Sequence, residues 1–414
     1  MIKYYIILQP SIHSMGGEEM YTRNKVIDAK EKGFSPIVFH SGIGNHIYIE
    51  DLKDFAKYKF SEFRYDLSVV SSQRKKKVLN KIQKILVNCD QNSIIESHEI
   101  LVAQWGEFIA KYLKIRHIAY MLLEGNNLRN ESLFNFFYFK YKRKELVGIE
   151  KQTIPNMFSN FLDNIDGVEL PAYCQNVFEN IPCPIKFRVR KADITIGSIS
   201  RTNKSMVLPM IDSIKDFTNK HIDKTFNILY IGGSMDKKSE NEVKKRLSSI
   251  PNAKLYFTGM LFPLSIEMIK QMDVCIASSG SCSVSERCGI PTISVDGIDG
   301  KAIGVFNETT KNSLFRDINE PQLNITDLLE DILINKKFIR KNKIRYLNVD
   351  FSSHWEFINK LTIKKEYYDI SNIKLTFKEK LKSVLLGFYY GLQQGSILQK
   401  IIEKSIAIIS YSSK

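Results

Sequence analysis

Three short stretches of this chain have the residue types and spacing to hold an anionic, hydroxyl-rich ligand. The first is Ser14-Met15-Gly16-Gly17-Glu18, which lies between an apolar run and a helical pattern. Two glycines there let backbone approach a ligand closely, and a helix start offers unpaired N–H groups to an anion. The G-x-G-x-x-G spacing of a dinucleotide fingerprint is absent, so a plain tight turn is the competing reading. The second is Ser200-Arg201-Thr202-Asn203-Lys204. Two cations three residues apart at a strand's end can clamp a diphosphate, Arg201 by its planar fork and Lys204 as a point charge. A solvated loop has the same composition. The third runs from Cys275 to Ser294 in the order strand, small-residue turn, helix start, Gly-x-Pro, strand. Gly280, Ser281 and their small neighbours from Ser279 to Ser283 expose backbone N–H groups to phosphate or sugar oxygens. Glu286, read on the first helical turn, either chelates two ribose hydroxyls or serves as a favourable N-terminal acid.

These stretches need strands and helices to position them, and the sequence supplies both in alternation. Tyr4–Leu8 reads as a buried strand, about Glu18 to Lys32 as a helix stopped at Gly33, and Pro36–His40 as the next strand. Ser93–Glu96 and His117–Leu123 continue the strands, with a helix over about Ile100 to Leu113. A second alternation starts near Asp193, with strands at Ile194–Ile199, Phe226–Ile231, Lys254–Thr258, Val274–Ala277 and Pro291–Val295. Its helices read at Ser205–Thr218, Lys237–Ser249, Ile266–Met272 and from Ser285. Strand–helix–strand units with short connections imply parallel sheets covered on both faces. The reading is two doubly wound α/β domains, residues 1–185 and 186–350. Residues 351–414 follow as a closing helix, capped at Ser352 or Ser353, and a basic amphipathic tail bearing Phe377, Leu381, Leu385 and Phe388.

Composition narrows the function classes. The 414 residues are 43% hydrophobic, enough for packed cores, which excludes a wholly disordered or fibrous protein. Lys and Arg number 60 against 45 Asp and Glu, a formal charge of +15 that favours anionic partners. No signal-peptide pattern and no run of ~18 apolar residues is present, and the six cysteines form no Cys-x-x-Cys pair. They read as reduced packing residues in a cytoplasmic protein, with no disulfide and no zinc site.

Taken in order, the motifs resemble those of the retaining family-4 glycosyltransferases of the GT-B fold. The matching elements are Gly16-Gly17-Glu18, Arg201 with Lys204, Glu286 in place of the second Glu of an E-x7-E pattern, and Gly289-Ile290-Pro291. Phe257-Thr-Gly259, Met272-Asp273-Val274 and Phe351-Ser-Ser-His-Trp355 resemble flanking stretches of that family. The likeness runs to about residue 365. It implies two Rossmann-like domains facing a cleft and a nucleotide-sugar donor held mainly by the second. Arg201 and Lys204 would meet the diphosphate, Glu286 the ribose, and Gly16 and Gly17 the phosphate or acceptor side. It implies retention of anomeric configuration with no metal or other cofactor, consistent with the lack of an Asp-x-Asp triplet. The chain departs from the pattern at Ser278, which stands for the first Glu, and at Glu124, which stands for a family histidine. Glu124 would bind sugar or act as an acid/base, or cap the backbone at Asn126 and Asn127. His98 sits where the family often has a histidine at a strand end, and packs or acts catalytically. His13 has similar standing.

Three basic clusters remain: Arg74–Lys77 with Lys81 and Lys84, the aromatic-rich Phe134–Lys144, and the tail. Interleaved aromatics and cations suit an anionic bilayer interface. They could also stack bases, but no nucleic-acid-binding signature accompanies them. The expectation is a protein peripheral to the inner face of the cell membrane, passing a hexose to a glycan or lipid-linked acceptor of capsule or O-antigen type. A nucleotide-sugar epimerase of the same fold and a catalytically inactive, membrane-associated partner are the alternatives.

Overall fold

The computed structural model describes residues 1–43, 46–123, 127–182, 191–234, 236–362, 366–392 and 397–411. It divides into two compact units. The first comprises Met1–Ser14, Tyr21–Tyr173 and Val349–Lys414; the second comprises Met15–Met20 and Cys174–Asn348.

In the first unit the strands are β1 (Tyr4–Gln9), β2 (Ser35–His40), β3 (Tyr58–Lys59), β4 (Ile94–His98), β5 (Arg116–Met121) and β6 (Leu146–Gly148). They form one sheet in the order β3-β2-β1-β4-β5-β6, every pair parallel. All six residues of β1 are buried, as a strand covered on both faces requires. The covering helices are α1 (Gly17–Glu31), α2 (Ser72–Ile85), α3 (Glu99–Leu113), α4 (Glu131–Lys142) and α5 (Thr153–Phe158). The first residues of α1 group with the second unit.

The second unit repeats this wiring. Its strands are β7 (Phe178–Glu179), β8 (Ile194–Ile199), β9 (Phe226–Ile231), β10 (Ala253–Phe257), β11 (Leu264–Ser265), β12 (Val274–Ala277), β13 (Thr292–Val295) and β14 (Ala302–Val305). The main sheet runs β10-β9-β8-β12-β13-β14, with β14 antiparallel at the edge, while β7 and β11 pair separately. Alternation along the strands splits the core between the two faces. Ile228 and Tyr230 pack on one side, Leu229 and Ile231 on the other. Helices α6 (Val207–Lys220), α7 (Lys237–Ser248), α8 (Ile266–Ile269), α9 (Gly280–Arg287) and α10 (Ile325–Leu329) complete it.

Four expectations need correction. The first division falls at residues 173/174 rather than 185/186. Residues from 349 onward are no separate extension: α11 (Ser352–Lys360) and its continuation dock on the first unit. Trp355 Nε1 donates to Asp28 at 2.8 Å, Tyr367 Oη to the Ile115 carbonyl at 3.0 Å, and Arg116 to the Ile358 carbonyl at 3.2 Å. Asp350 rather than a serine receives the Ser352 N–H at the start of α11, at 2.9 Å. Finally, the Phe134–Lys144 cluster largely faces inward on α4. Phe136, Phe137 and Lys140 are fully buried. Lys140 Nζ donates to Glu107 at 2.8 Å and Glu145 at 2.6 Å, and Arg143 pairs with Glu145. Carboxylate partners at this distance offset much of the cost of burying an ammonium. The tail forms α12 (Phe377–Tyr389) and α13 (Ile397–Tyr411). No helix among the described residues is long and apolar enough to cross a membrane.

Candidate functional site

Both main sheets have the strand order in which direction of winding reverses between the first and fourth strands. In such sheets ligands bind beyond the carboxyl ends of the strands at that reversal. In the second unit those strands are β8 and β12, with Ile199 opposite Ala277. The segments leaving them, Ser200–Lys204 and Ser278–Gly280, therefore start about 5 Å apart. Two of the three stretches singled out in the sequence are brought together by this register.

The β8 turn is fixed by backbone. Ser200 N donates to the Ile231 carbonyl, Thr202 Oγ1 to Ser234 Oγ at 2.9 Å, and Lys204 N to the Arg201 carbonyl. Thr202 is buried, which leaves Arg201 half-buried and Lys204 exposed. No carboxylate pairs with the Arg201 guanidinium among the described residues.

The β12 turn is strained. Ser279 has φ +59° and ψ −141°, a backbone region that L side chains rarely occupy and that costs on the order of 1–3 kcal/mol. Its N–H and the Ser278 hydroxyl both donate to the Ser313 carbonyl. This fold-back starts α9 at Gly280, with no side chain capping it. Gly280 and Ser281 thus form the first turn of a helix whose N–H groups carry partial positive charge.

The early start of α9 corrects the placing of Glu286, which falls on the last turn rather than the first. At 1.5 Å per residue it lies about 9 Å along the helix from Gly280. Its side chain is 9% exposed and ion-pairs with Arg345. It lines a small pocket with Gly289, Pro291, Phe306, Glu308 and Lys341. The structure therefore does not bring Glu286 to the N-terminal end of α9.

Gly16 and Gly17 group with this unit as well. A side chain at Gly17 would meet Cys174 Cβ at 3.1 Å, and one at Gly280 would meet the Gln175 Cα at 3.5 Å. The Cys174–Gln175 segment thus touches both glycine turns. Gln175 Oε1 and Asn176 Oδ1 are shielded from solvent without a hydrogen-bond partner among the described residues. The Gly16 N–H is taken by Glu19 at 2.9 Å, and Glu18 and Glu19 occupy the first turn of α1. Two acids there oppose binding of a second anion. Gln175, Asn176, Ser313 and Arg345 were not singled out from sequence, since no local pattern marks them.

In the first unit, His98 ends β4 and is fully buried, with Nε2 2.9 Å from Glu96 Oε1. Tyr21 Oη donates to the same carboxylate at 2.8 Å, and Tyr5 Oη donates to its other oxygen. Burial alone would raise the Glu96 carboxyl, but the His98 hydrogen bond and the charges nearby bring it down to about 2. Glu99, just beyond His98, has φ +71°. Each unit thus places a non-glycine residue of positive φ where its fourth strand leaves the sheet. His13 is buried, with Nδ1 3.0 Å from the His46 carbonyl. Glu124 lies outside the described residues.

Fold and sheet order define an α/β protein of the GT-B type, two Rossmann-like units in one chain. No family model matches the chain, and no curated protein matches it. Among solved structures, a glycosyltransferase from Rickettsia africae ESF-5 matches all of this chain and 99% of its own. The TM-score is 0.56 and the identity 15%, so the likeness is one of fold. The lipopolysaccharide outer core galactosyltransferase WaaB, apo form, aligns over 92% of this chain and 99% of its own, with TM-score 0.46 at 12% identity. A UDP-N-acetylglucosamine 2-epimerase aligns over 96% of this chain and 99% of its own, with TM-score 0.43 at 12% identity. These two lower scores add no weight to either activity.

Proposed function

We propose that this chain is a glycosyltransferase that moves a hexose-type sugar from a nucleotide-sugar donor to a glycan acceptor of surface polysaccharide, lipid-linked and with retention. What supports the reading is the register of the second sheet, which starts the Arg201–Lys204 segment and the uncapped α9 side by side at the strand reversal. As the anomeric carbon–oxygen bond breaks, negative charge collects on the departing diphosphate. A guanidinium, an ammonium and the N–H groups of Gly280 and Ser281 would stabilise that charge where it develops. The reading takes no metal, since these groups supply the positive charge. His98 and Glu124, from the first unit, are assigned to the acceptor side, and Gly16 and Gly17 to the donor's flank.

A second reading has its own observation. Ser278 stands where the resemblance calls for a carboxylate and spends its hydroxyl on Ser313, while Glu286 is occupied by Arg345. A partner that binds nucleotide without turnover would tolerate both. The test is a thermal-shift panel of UDP-, GDP-, ADP- and CMP-sugars on the native protein and on Arg201→Ala/Lys204→Ala. A ligand at ~100 times its dissociation constant adds about 2.7 kcal/mol of stability. A shift with one nucleotide, lost in the variant, followed by transfer to acceptor, supports the transferase. The same shift with neither transfer nor hydrolysis supports the partner, and a changed sugar in the recovered donor supports an epimerase. No shift with any nucleotide refutes the donor site.

A further inference from the structure

The helices α12 and α13 present an outer face of large apolar side chains edged by lysines. The start of α12 is fixed by a reciprocal cap: Glu379 N donates to Thr376 Oγ1, and the Glu379 carboxylate accepts Thr376 N at 2.7 Å. Its inner face is fixed by packing. Any side chain at Gly387 would strike the Tyr65 ring, and Ser383 Oγ accepts the Asp66 N–H at 2.9 Å. At 100° per residue, Phe377, Leu381, Val384 and Phe388 then fall on one stripe about 60° wide. Phe377 is 81% exposed, Leu381 39% and Phe388 55%; on α13, Leu398 is 53% and Ile401 54% exposed.

The charge around the stripe on α12 is mainly positive, while α13 carries the exposed Glu403 beside Lys404. Lys374, Lys378, Lys380 and Lys382 are all exposed. Between residues 370 and 402 the sequence holds a single carboxylate, Glu379, which is engaged by its own cap and by Asn130 at 2.8 Å. Much earlier in the chain, α2 exposes Arg74, Lys76 and Lys77.

From this we infer that the α12–α13 pair is a docking surface for an anionic lipid bilayer. Apolar side chains on one stripe can enter the acyl boundary while flanking ammonium groups meet lipid phosphates. With 13 and 15 residues, the helices are about 20 and 22 Å long, short of the ~30 Å a spanning helix needs. They lie along the interface. The inference stands apart from the donor reading, because vesicle binding needs no nucleotide.

Full-length Phe377→Trp supplies the probe, since native Trp105 is fully buried and Trp355 half-buried. Mixed with vesicles of equal phosphatidylcholine and phosphatidylglycerol, the protein co-sediments and the new indole shifts to the blue. Vesicles of phosphatidylcholine alone bind far less. Lys380→Gln/Lys382→Gln lowers partitioning about 25-fold, at roughly fivefold per lysine. Phe377→Ser/Leu381→Ser abolishes it while far-ultraviolet circular dichroism is unchanged. Equal binding to neutral vesicles, or partitioning untouched by either double variant, overturns the inference. So does a dimer at sedimentation equilibrium that Leu381→Ser splits, since the stripe would then be covered by a second copy.

Discussion

Lys25 offers a prediction whose sign runs against ordinary alkaline behaviour. It lies on α1 with its side chain fully buried, and its ion-pair partner Asp28 is 3.7 Å away. The ammonium sits over the rings of Trp355 at 4.4 Å, Phe351 at 4.5 Å and Tyr5 at 5.2 Å. Aromatic faces attract a cation, but three rings do not replace the water it has lost. Burial pulls its pKa from 10.5 down to about 8, with Glu96 and Asp28 opposing. Between pH 8 and 10.5 the unfolded chain therefore holds more protons at this position than the folded one. Stability attributable to Lys25 must rise with pH across that window, by about 3 kcal/mol. In Lys25→Met the shape is kept and the titration removed. We expect the difference in melting temperature between native and variant proteins to move by roughly 6–12 °C from pH 7.5 to 10.5, in the native protein's favour. Cys275 and Cys282, raised by burial to about 12 and above, weaken both proteins alike at alkaline pH and cancel in the difference. Parallel melting curves would refute the reasoning, because they would mean that Lys25 is hydrated in solution and that α11 is not clamped over it.

Three further outcomes follow from the same structure. Lys140→Met removes the ammonium from Glu107 in the core, while Glu145 keeps Arg143, and should cost about 3–5 kcal/mol in urea unfolding; no loss would return α4 to the surface. Ser279→Gly relieves the positive-φ strain and should raise the melting temperature, a gain of about 1 kcal/mol, while weakening any ligand that uses the Ser279 hydroxyl. Burial lowers His354 from 6.5 to about 4, so the unfolded chain takes up that proton first and stability falls as pH drops from 6.5 to 4. Unfolding midpoints across that range should fall less steeply in His354→Gln, by up to about 3 kcal/mol.

Much of the fold was legible because buried parallel strands are short apolar runs ended by small or polar residues. β8, β9 and β12 have the bounds their sequences predict. What was illegible depends on partners distant in the chain. Lys140 looks like one cation in an aromatic, basic cluster until Glu107, 33 residues away, reaches it. The amphipathic helix α2 hid behind its lysines, although Ser71 caps it and Val78 and Ile82 bury its inner face. The start of α9 hid for another reason. Gly280, Ser281 and Ser283 are poor helix formers, so propensity alone delays the helix to about Ser285. The Ser313 carbonyl, reached only through tertiary folding, sets the true start.

That displacement bears on which part of a donor the site can recognise. With α9 starting at Gly280, Glu286 is two turns from the anion-binding end and already holds Arg345. A ribose would have to replace a charge-assisted ion pair with hydrogen bonds from two neutral hydroxyls, an exchange that loses on the order of 1–2 kcal/mol. Arg201 meets no such competition among the described residues, and the first turn of α9 has no side-chain cap to displace. Under the proposed reading, affinity then rests on the diphosphate. Discrimination between nucleotides then falls to groups with unfilled hydrogen-bonding capacity near the same helix, Gln175 and Asn176 among the described residues.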